Sequence, residues 1–176
     1  EYDEVARMIG TITRRRAEIS ERVTAVIADP AVAALLIAKV SLAAERGLDL
    51  RLADDADLPS LDPDLSADVG TVLGNLLDNA VDATVAAAGE RIDVRVLMHD
   101  GVVVVQVADT GPGVPVENAA EIFRRGWSTK PTDASGRGVG LALVQVICQR
   151  RGGTVSVHND LGAVFTATLP RVNRSR

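Results

Sequence analysis

The chain has 176 residues, 47% of them hydrophobic but only 2% aromatic, and a formal charge of −5. One domain with a core of Val, Ala, Leu and Ile follows, while the acidic balance excludes a broad electrostatic footprint for nucleic acid and the scarcity of rings excludes base-stacking platforms. No apolar run is long enough to span a bilayer, and no signal-peptide pattern opens the chain. The single cysteine, Cys148, excludes an internal disulfide and reads as a buried filler in a reducing compartment.

Tyr2 to Ala28 reads as one long helix. Val5, Ile12, Ile19 and Val26 recur every seven residues, with Met8, Ile9 and Val23 beside them. This is the seam of a coiled coil or bundle. Arg15, Arg16 and Arg22 break its second half. The helix either dimerises or lies on its own domain, and its place ahead of the globular pattern favours dimerisation.

Pro30 starts a second helix that ends at Gly47. Leu48 to Leu52 alternates as a strand. Asp62-Pro63 opens a long helix to about Ala88, closed by Gly89. Arg91 to Met98 and Val102 to Ala108 are strands around the hairpin signal Asp100-Gly101. A short helix is expected near 116–123, then a polar loop from Arg124 to Gly136 and a helix from Val139 to Arg151. Thr154 to His158 and Ala163 to Leu169 form a last hairpin. Hairpins mixed with helical crossovers predict an α+β fold, a two-layer sandwich with helices on one face of a mixed sheet.

Three clusters carry chemistry. Asn75 and Asn79 share a face of the long helix, one turn apart. Amide oxygens suit Mg²⁺, though two amides could equally cap nearby loops. Asp109-Thr110-Gly111-Pro112-Gly113 follows an apolar strand. It is either an ordinary turn or a carboxylate placed for a ring amine, with glycines that let a flat base approach. Gly136-Arg137-Gly138-Val139-Gly140-Leu141 opens a helix and exposes backbone N–H groups to phosphate. It matches neither the dinucleotide fingerprint nor the Walker pattern. Ahead of it Arg124, Arg125, Lys130 and Arg137 stand against the single acid Asp133, as a lid over a triphosphate or a solvated basic loop would.

The order of these clusters resembles the GHKL superfamily of ATP-binding domains, which includes gyrase, the heat-shock chaperone ATPases, mismatch-repair ATPases and histidine kinases. Asn75 to Ala83 looks like its N box, Asp109 to Gly113 its first glycine box, Phe123 part of its F box and Gly136 to Gly140 its second glycine box. The hydrolytic members carry a Glu one turn before the metal Asn. Here that position is Asn75, which cannot take a proton from water, so a kinase is favoured. Phe123 to Lys130, Gly138 to Leu143, Glu1 to Val5 and the Asp29-Pro30-Ala31 to Gly47 segment resemble the citrate and C4-dicarboxylate sensor kinases.

The resemblance implies a nucleotide site made of Asn75, Asn79, Ala83, Asp109, Gly111, Gly113, Val114, Lys130, Arg137, Gly138, Val139, Gly140 and Leu141, with ATP and Mg²⁺ as cofactors. Asp109 holds the adenine amine, and Gly111, Gly113 and Val114 line the base. Asn79 is the metal ligand. Asn75 is the catalytic residue, assisting the metal or polarising the incoming imidazole. Lys130, Arg137 and the amides of Gly138 to Leu141 hold the phosphates. The implied partners are a response regulator and, through the N-terminal helix, a second copy of the whole protein; no nucleic acid is expected. Residues 1–29 are expected to be the second helix of a dimerisation hairpin, 30–170 the ATP-binding domain and 171–176 a basic tail. The phospho-acceptor histidine and membrane anchor are expected outside these residues, and the domain itself in the cytoplasm. An anti-sigma-factor-type serine kinase and a binding-only module are the alternatives. One departure stands out: Gly162 is followed by Ala163 where relatives often have Thr, so a hydroxyl near the adenine is missing, and Thr166 is not a clear substitute.

Overall fold

The computed structural model describes residues 2–119, 121–124 and 139–171. Its elements are α1 (Tyr2–Val26), α2 (Pro30–Glu45), β1 (Asp49–Leu52), α3 (Pro63–Ala86), β2 (Arg91–His99), β3 (Val102–Asp109), a 3-10 turn (Val116–Asn118), α4 (Gly140–Arg150), β4 (Val155–Asn159) and β5 (Ala163–Pro170). The strands form one mixed sheet in the order β1-β2-β3-β5-β4. β1 runs parallel to β2, as a connection through a helix allows. The other pairs are antiparallel.

Period-two patterning turns Ile92, Val94, Val96, Val103, Val105 and Val107 inward. α3 lies across β2, β3 and β5, α4 over β5 and β4, and α2 beside β1. The expected two-layer α+β sandwich is therefore present. Leu65, Val69, Val72, Leu73, Leu76 and Leu77 of α3 complete the core. Among the described residues the aromatic contribution is one edge-to-face pair, Phe123 on Phe165, with centroids 6.2 Å apart.

Both Asp-Pro signals start helices. Asp62 caps α3 by accepting from Leu65 N–H at 3.0 Å. Asp29 caps α2 through Val32 N–H at 3.0 Å and does more. It is 2% exposed and also accepts from Ser66 Oγ at 2.9 Å and Leu61 N–H at 3.3 Å, fastening the start of α3 to the α1–α2 junction. The end of α1 belongs to the same core: Val23 and Ile27 are buried, and Ile19 and Val26 pack against them. Arg22 donates to Ala53 C=O at 3.1 Å and to Asp54 Oδ1 at 2.7 Å. The later half of the seven-residue seam thus lies on its own domain, while the side chains of Val5, Met8, Ile9 and Ile12 fall outside the described residues.

Asp68 ties α3 to the end of α4, with Arg150 at 2.6 Å and Arg151 at 2.5 Å. Cys148 is a buried free thiol, its pKa pushed up to about 11 first by burial and then by the Asp68 charge. At neutral pH it stays protonated and acts as filler.

Asp100 and Gly101 both take positive φ, 49° and 75°, the mirror-image hairpin turn their sequence signals. Two expectations need correction. α3 ends at Ala86, and Ala88, not Gly89, takes the left-handed position, at φ 52°. The expected helix over 116–123 is a 3-10 turn followed by further turns: Asn118, Glu121 and Arg124 each donate three residues back, to Pro115, Asn118 and Glu121. Those tight turns bring Ile122 and Phe123 into the core without a regular helix.

Candidate functional site

α3 presents Asn75, Asn79 and Ala83 at four-residue intervals, one stripe down a single face. Each end of the stripe meets a glycine. A Cβ on Gly140 would lie 2.7 Å from Asn75 Oδ1, and a Cβ on Gly111 would lie 2.9 Å from the Ala83 carbonyl. Bare backbone at the start of α4 therefore covers Asn75, and bare backbone after β3 covers Ala83. The sequence alone assigned Gly111 to close approach of a base; its nearest neighbour is instead the helix backbone at Ala83. Asn79 lies between these two contacts.

The two amides differ. Asn75 Nδ2 donates to Thr71 C=O at 2.8 Å, which sets the amide and turns Oδ1 toward Gly140. Asn79 Nδ2 is buried with no hydrogen-bond partner among the described residues. Swapping the amide oxygen and nitrogen is sterically neutral and would place an acceptor at that same spot. In either orientation a buried polar atom is left without a partner among the described residues. A hard cation that takes neutral oxygen ligands and keeps its waters fits this residue.

At the far end Asp109 closes β3, 5% exposed. Its Oδ1 accepts from Gly111 N–H at 2.8 Å and Ala163 N–H at 3.0 Å. No described residue bonds Oδ2. Burial raises the Asp109 pKa, and the amides of Ala163 and Gly111 partly oppose that rise. The peptide N–H of Ala163 thus reaches the carboxylate directly, with no side-chain hydroxyl. Thr166 is not a substitute: it pairs with Gln106 across β3 and β5 at 3.0 Å, on the face opposite Asp109.

Thr110 extends the strand pairing, accepting from Arg91 N–H at 3.2 Å and donating to Arg91 C=O at 3.0 Å. Gly113 turns the chain at φ 74°. Val114 and Leu141 are half-buried against the core, and Val139 is exposed. Val139 occupies the cap position of α4 and gives its amides no side-chain bond, so among the described residues no side chain competes with an anion for its first N–H groups. Lys130, Arg137 and Gly138 lie outside the described residues, as does the expected lid loop from Arg124 to Gly136 except for Arg124 itself. Among the described candidates, the structure gathers Asn75, Asn79, Ala83, Asp109, Gly111 and Gly140 along one side of α3.

Two residues of the last hairpin were not among the site residues expected from the sequence. Gly162 sits on Asp109, where a Cβ would strike its carbonyl and Oδ1 and lie 2.8 Å from Gly111 N. Asn159 reaches back 45 residues to bond Val114. Gly162 carried a weak signal as a glycine in a hairpin, and Asn159 carried none.

The family model for the histidine kinase-, DNA gyrase B- and HSP90-like ATPases matches residues 65–173. The chain is 33% identical over 177 residues to the sensor histidine kinase DpiB of Escherichia coli K12, covering 98% of this chain and 32% of that protein. It is 32% identical over 176 residues to the sensor protein CitS of Bacillus subtilis 168, covering 97% of this chain and 32% of that protein. It therefore spans about a third of the length of these relatives. Among solved structures, full-length ShkA in complex with AMPPNP superposes with a TM-score of 0.61 at 31% identity, covering 78% of this chain and 29% of ShkA. With the asparagine stripe, the buried aspartate and the Gly111–Gly113 turn in place, the chain belongs to the histidine kinase-, DNA gyrase B- and HSP90-like ATPase family, and its relatives include sensor histidine kinases.

Proposed function

We propose that this chain is the Mg-ATP-binding catalytic part of a two-component sensor histidine kinase. It passes the γ-phosphoryl of ATP to a histidine outside these 176 residues, and a response regulator receives it from there. The observation that carries this reading is the Asn75 amide, held by Thr71 with its oxygen turned to the start of α4. A general base for water would have to stand at this point, and an amide cannot serve as one. What remains is positioning and charge stabilisation, which is most of what phosphoryl transfer asks of a protein. Asp109 Oδ2 takes the adenine amine, Gly111, Gly113 and Val114 line the base, and the amides of Gly140 and Leu141 face the phosphates. Lys130 and Arg137 add positive charge to the phosphate end, and Asn75 orients the incoming imidazole. Asn79 would hold Mg²⁺, which when bound neutralises the charge of the phosphates. In the whole protein α1 joins a second copy through the first half of its seam, and the domain is cytoplasmic behind a membrane anchor. No helix among the described residues is long and apolar enough to cross a membrane.

Asn79→Ala is expected to weaken Mg-ATP binding by roughly 10–100-fold, the range for losing a metal-site partner, and to leave metal-free ATP binding nearly unchanged. Calorimetry with and without Mg²⁺ checks this, and an equal loss under both conditions would make Asn79 structural.

The chain alone is expected to bind ATP and to leave both its histidines unlabelled. His99 sits 3.2 Å from Asp100 in the β2–β3 hairpin, its side chain 81% exposed. His158 lies within β4 at the edge of the sheet. Neither reaches an in-line position over a γ-phosphate without dismantling its hairpin. Incubation with Mg-ATP followed by assay for acid-labile phosphate tests the point. Labelling of either histidine would overturn it, whereas labelling only of an added acceptor helix would support it.

A further inference from the structure

We propose that Asn159 is a positioning residue for the purine end of the site, its carboxamide holding the Gly113–Val114 segment in the shape that binding requires. The proposal rests on the reading of Asp109 and the turn after it as the adenine end. Asn159 closes β4, opposite Ala163. Its Oδ1 accepts from Val114 N–H at 2.9 Å and its Nδ2 donates to Val114 C=O at 2.6 Å. One side chain thus pairs with both backbone groups of one residue, as a neighbouring strand would. The approach is close: a Cβ on Gly113 would lie 2.8 Å from Asn159 Oδ1. Gly113 is therefore required twice, by its positive φ and by the amide above it.

The β4–β5 hairpin consequently grips the 109–114 turn at two points. Ala163 N–H holds the Asp109 carboxylate at the start, and Asn159 holds Val114 at the end. Between them run Gly111, Pro112 and Gly113, and without Asn159 the far end would be held by the packing of the Val114 side chain on the core and not by these backbone hydrogen bonds. A segment with two glycines that must be ordered by the ligand weakens binding by the entropy of ordering it. Asn159 is exposed, so shortening it opens no core cavity.

The test is nucleotide titration joined to amide hydrogen exchange on the wild type, N159A, N159D and D109N. N159A should weaken ATP and ADP by the same factor, about tenfold for two lost hydrogen bonds. It should deprotect the Val114 amide in the nucleotide-free domain and leave the amides of α3, β2 and β3 unchanged. N159D keeps an acceptor for Val114 N–H, so protection there should return. It also sets a carboxylate oxygen against Val114 C=O, so only part of the affinity should return. Wild-type affinity in N159A overturns the proposal, as does an affinity loss accompanied by deprotection of the whole sheet, which would mark a structural role. D109N separates the two ideas. If D109N binds as the wild type does, the adenine lies elsewhere and the site itself is misassigned. If D109N fails to bind while N159A binds normally, only the positioning role falls.

Discussion

Asp109→Asn is expected to reduce ATP affinity by about a hundredfold or more while leaving the fold as stable as the wild type, or more so. The two effects have different origins. Asn retains an Oδ1 for the amides of Gly111 and Ala163, so the local turn survives. At the second position an NH₂ replaces Oδ2, and an amine that met an acceptor now meets a donor. A lost charge-assisted hydrogen bond costs about 1.5–3 kcal/mol, and the unpaired donor adds to that. Guanine nucleotides, with an acceptor at the same ring position, should lose less, so selectivity for adenine should narrow. The stability effect comes from burial, which raises the Asp109 pKa above its ordinary 3.8. The native state then holds its proton more tightly than the unfolded chain. The resulting stabilisation is complete below pH 3.8 and is lost as pH rises through the raised folded-state value. At neutral pH the ionised carboxylate is a liability to the empty domain, and Asn removes it. ATP affinity runs the other way, because the amine needs the ionised form, and falls on acidification through that same interval. Denaturant melts and calorimetry on both proteins across acidic pH check the pair of signs. Stability differences that do not vary with pH would contradict the assigned burial effect.

Gly162→Ala is expected to damage both the site and the fold. Gly162 does not take a left-handed φ, so the obstacle is steric. The added methyl would collide with the Asp109 carbonyl and Oδ1 and lie 2.8 Å from Gly111 N. These atoms are backbone or tightly bonded, so the hairpin itself must move. Movement draws Ala163 N–H away from Asp109 and leaves a buried carboxylate with one partner fewer. Overpacking of this kind costs about 1–3 kcal/mol, or a fall in melting temperature of about 2–4 °C per kcal/mol for a chain of this size. Nucleotide affinity should fall with it. A thermal melt and a titration of the same preparation measure both, and full retention of affinity would show that the hairpin does not set the Asp109 geometry.

How far the sequence revealed this site depends on the range of the forces involved. The strands of the β2–β3 hairpin, the Asp-Pro helix starts and the asparagine pair are local patterns, and their periods and turn chemistry are written in neighbouring residues. Local chemistry also misled. Gly89 looked like the helix terminator because glycine favours positive φ, yet Ala88 takes that position, and Gly89 is instead where Thr110 comes close, a Cβ there lying 2.6 Å from the Thr110 carbonyl. Val23 and Val26 looked like part of a dimer seam, but a seven-residue repeat does not say which surface it will meet, and these two meet the domain core. Asn159 was invisible because its partner, Val114, lies 45 residues away and offers only backbone. Gly162 was visible as a glycine, but its reason, the carboxylate beneath it, appears only once β5 lies beside β3.

The stripe Asn75–Asn79–Ala83, gripped by a glycine at either end, makes α3 a ruler. A helix advances about 1.5 Å and rotates about 100° with each residue. One residue inserted or deleted between Asn75 and Ala83 would swing one end of the stripe off the face and pull its glycine out of contact. A seven-residue insertion would nearly restore the face but lengthen the span by about 10 Å. This stretch can therefore vary in side chain but not in length. Descendants of this gene should vary the side chains of this stretch while the eight-residue step from Asn75 to Ala83 stays fixed.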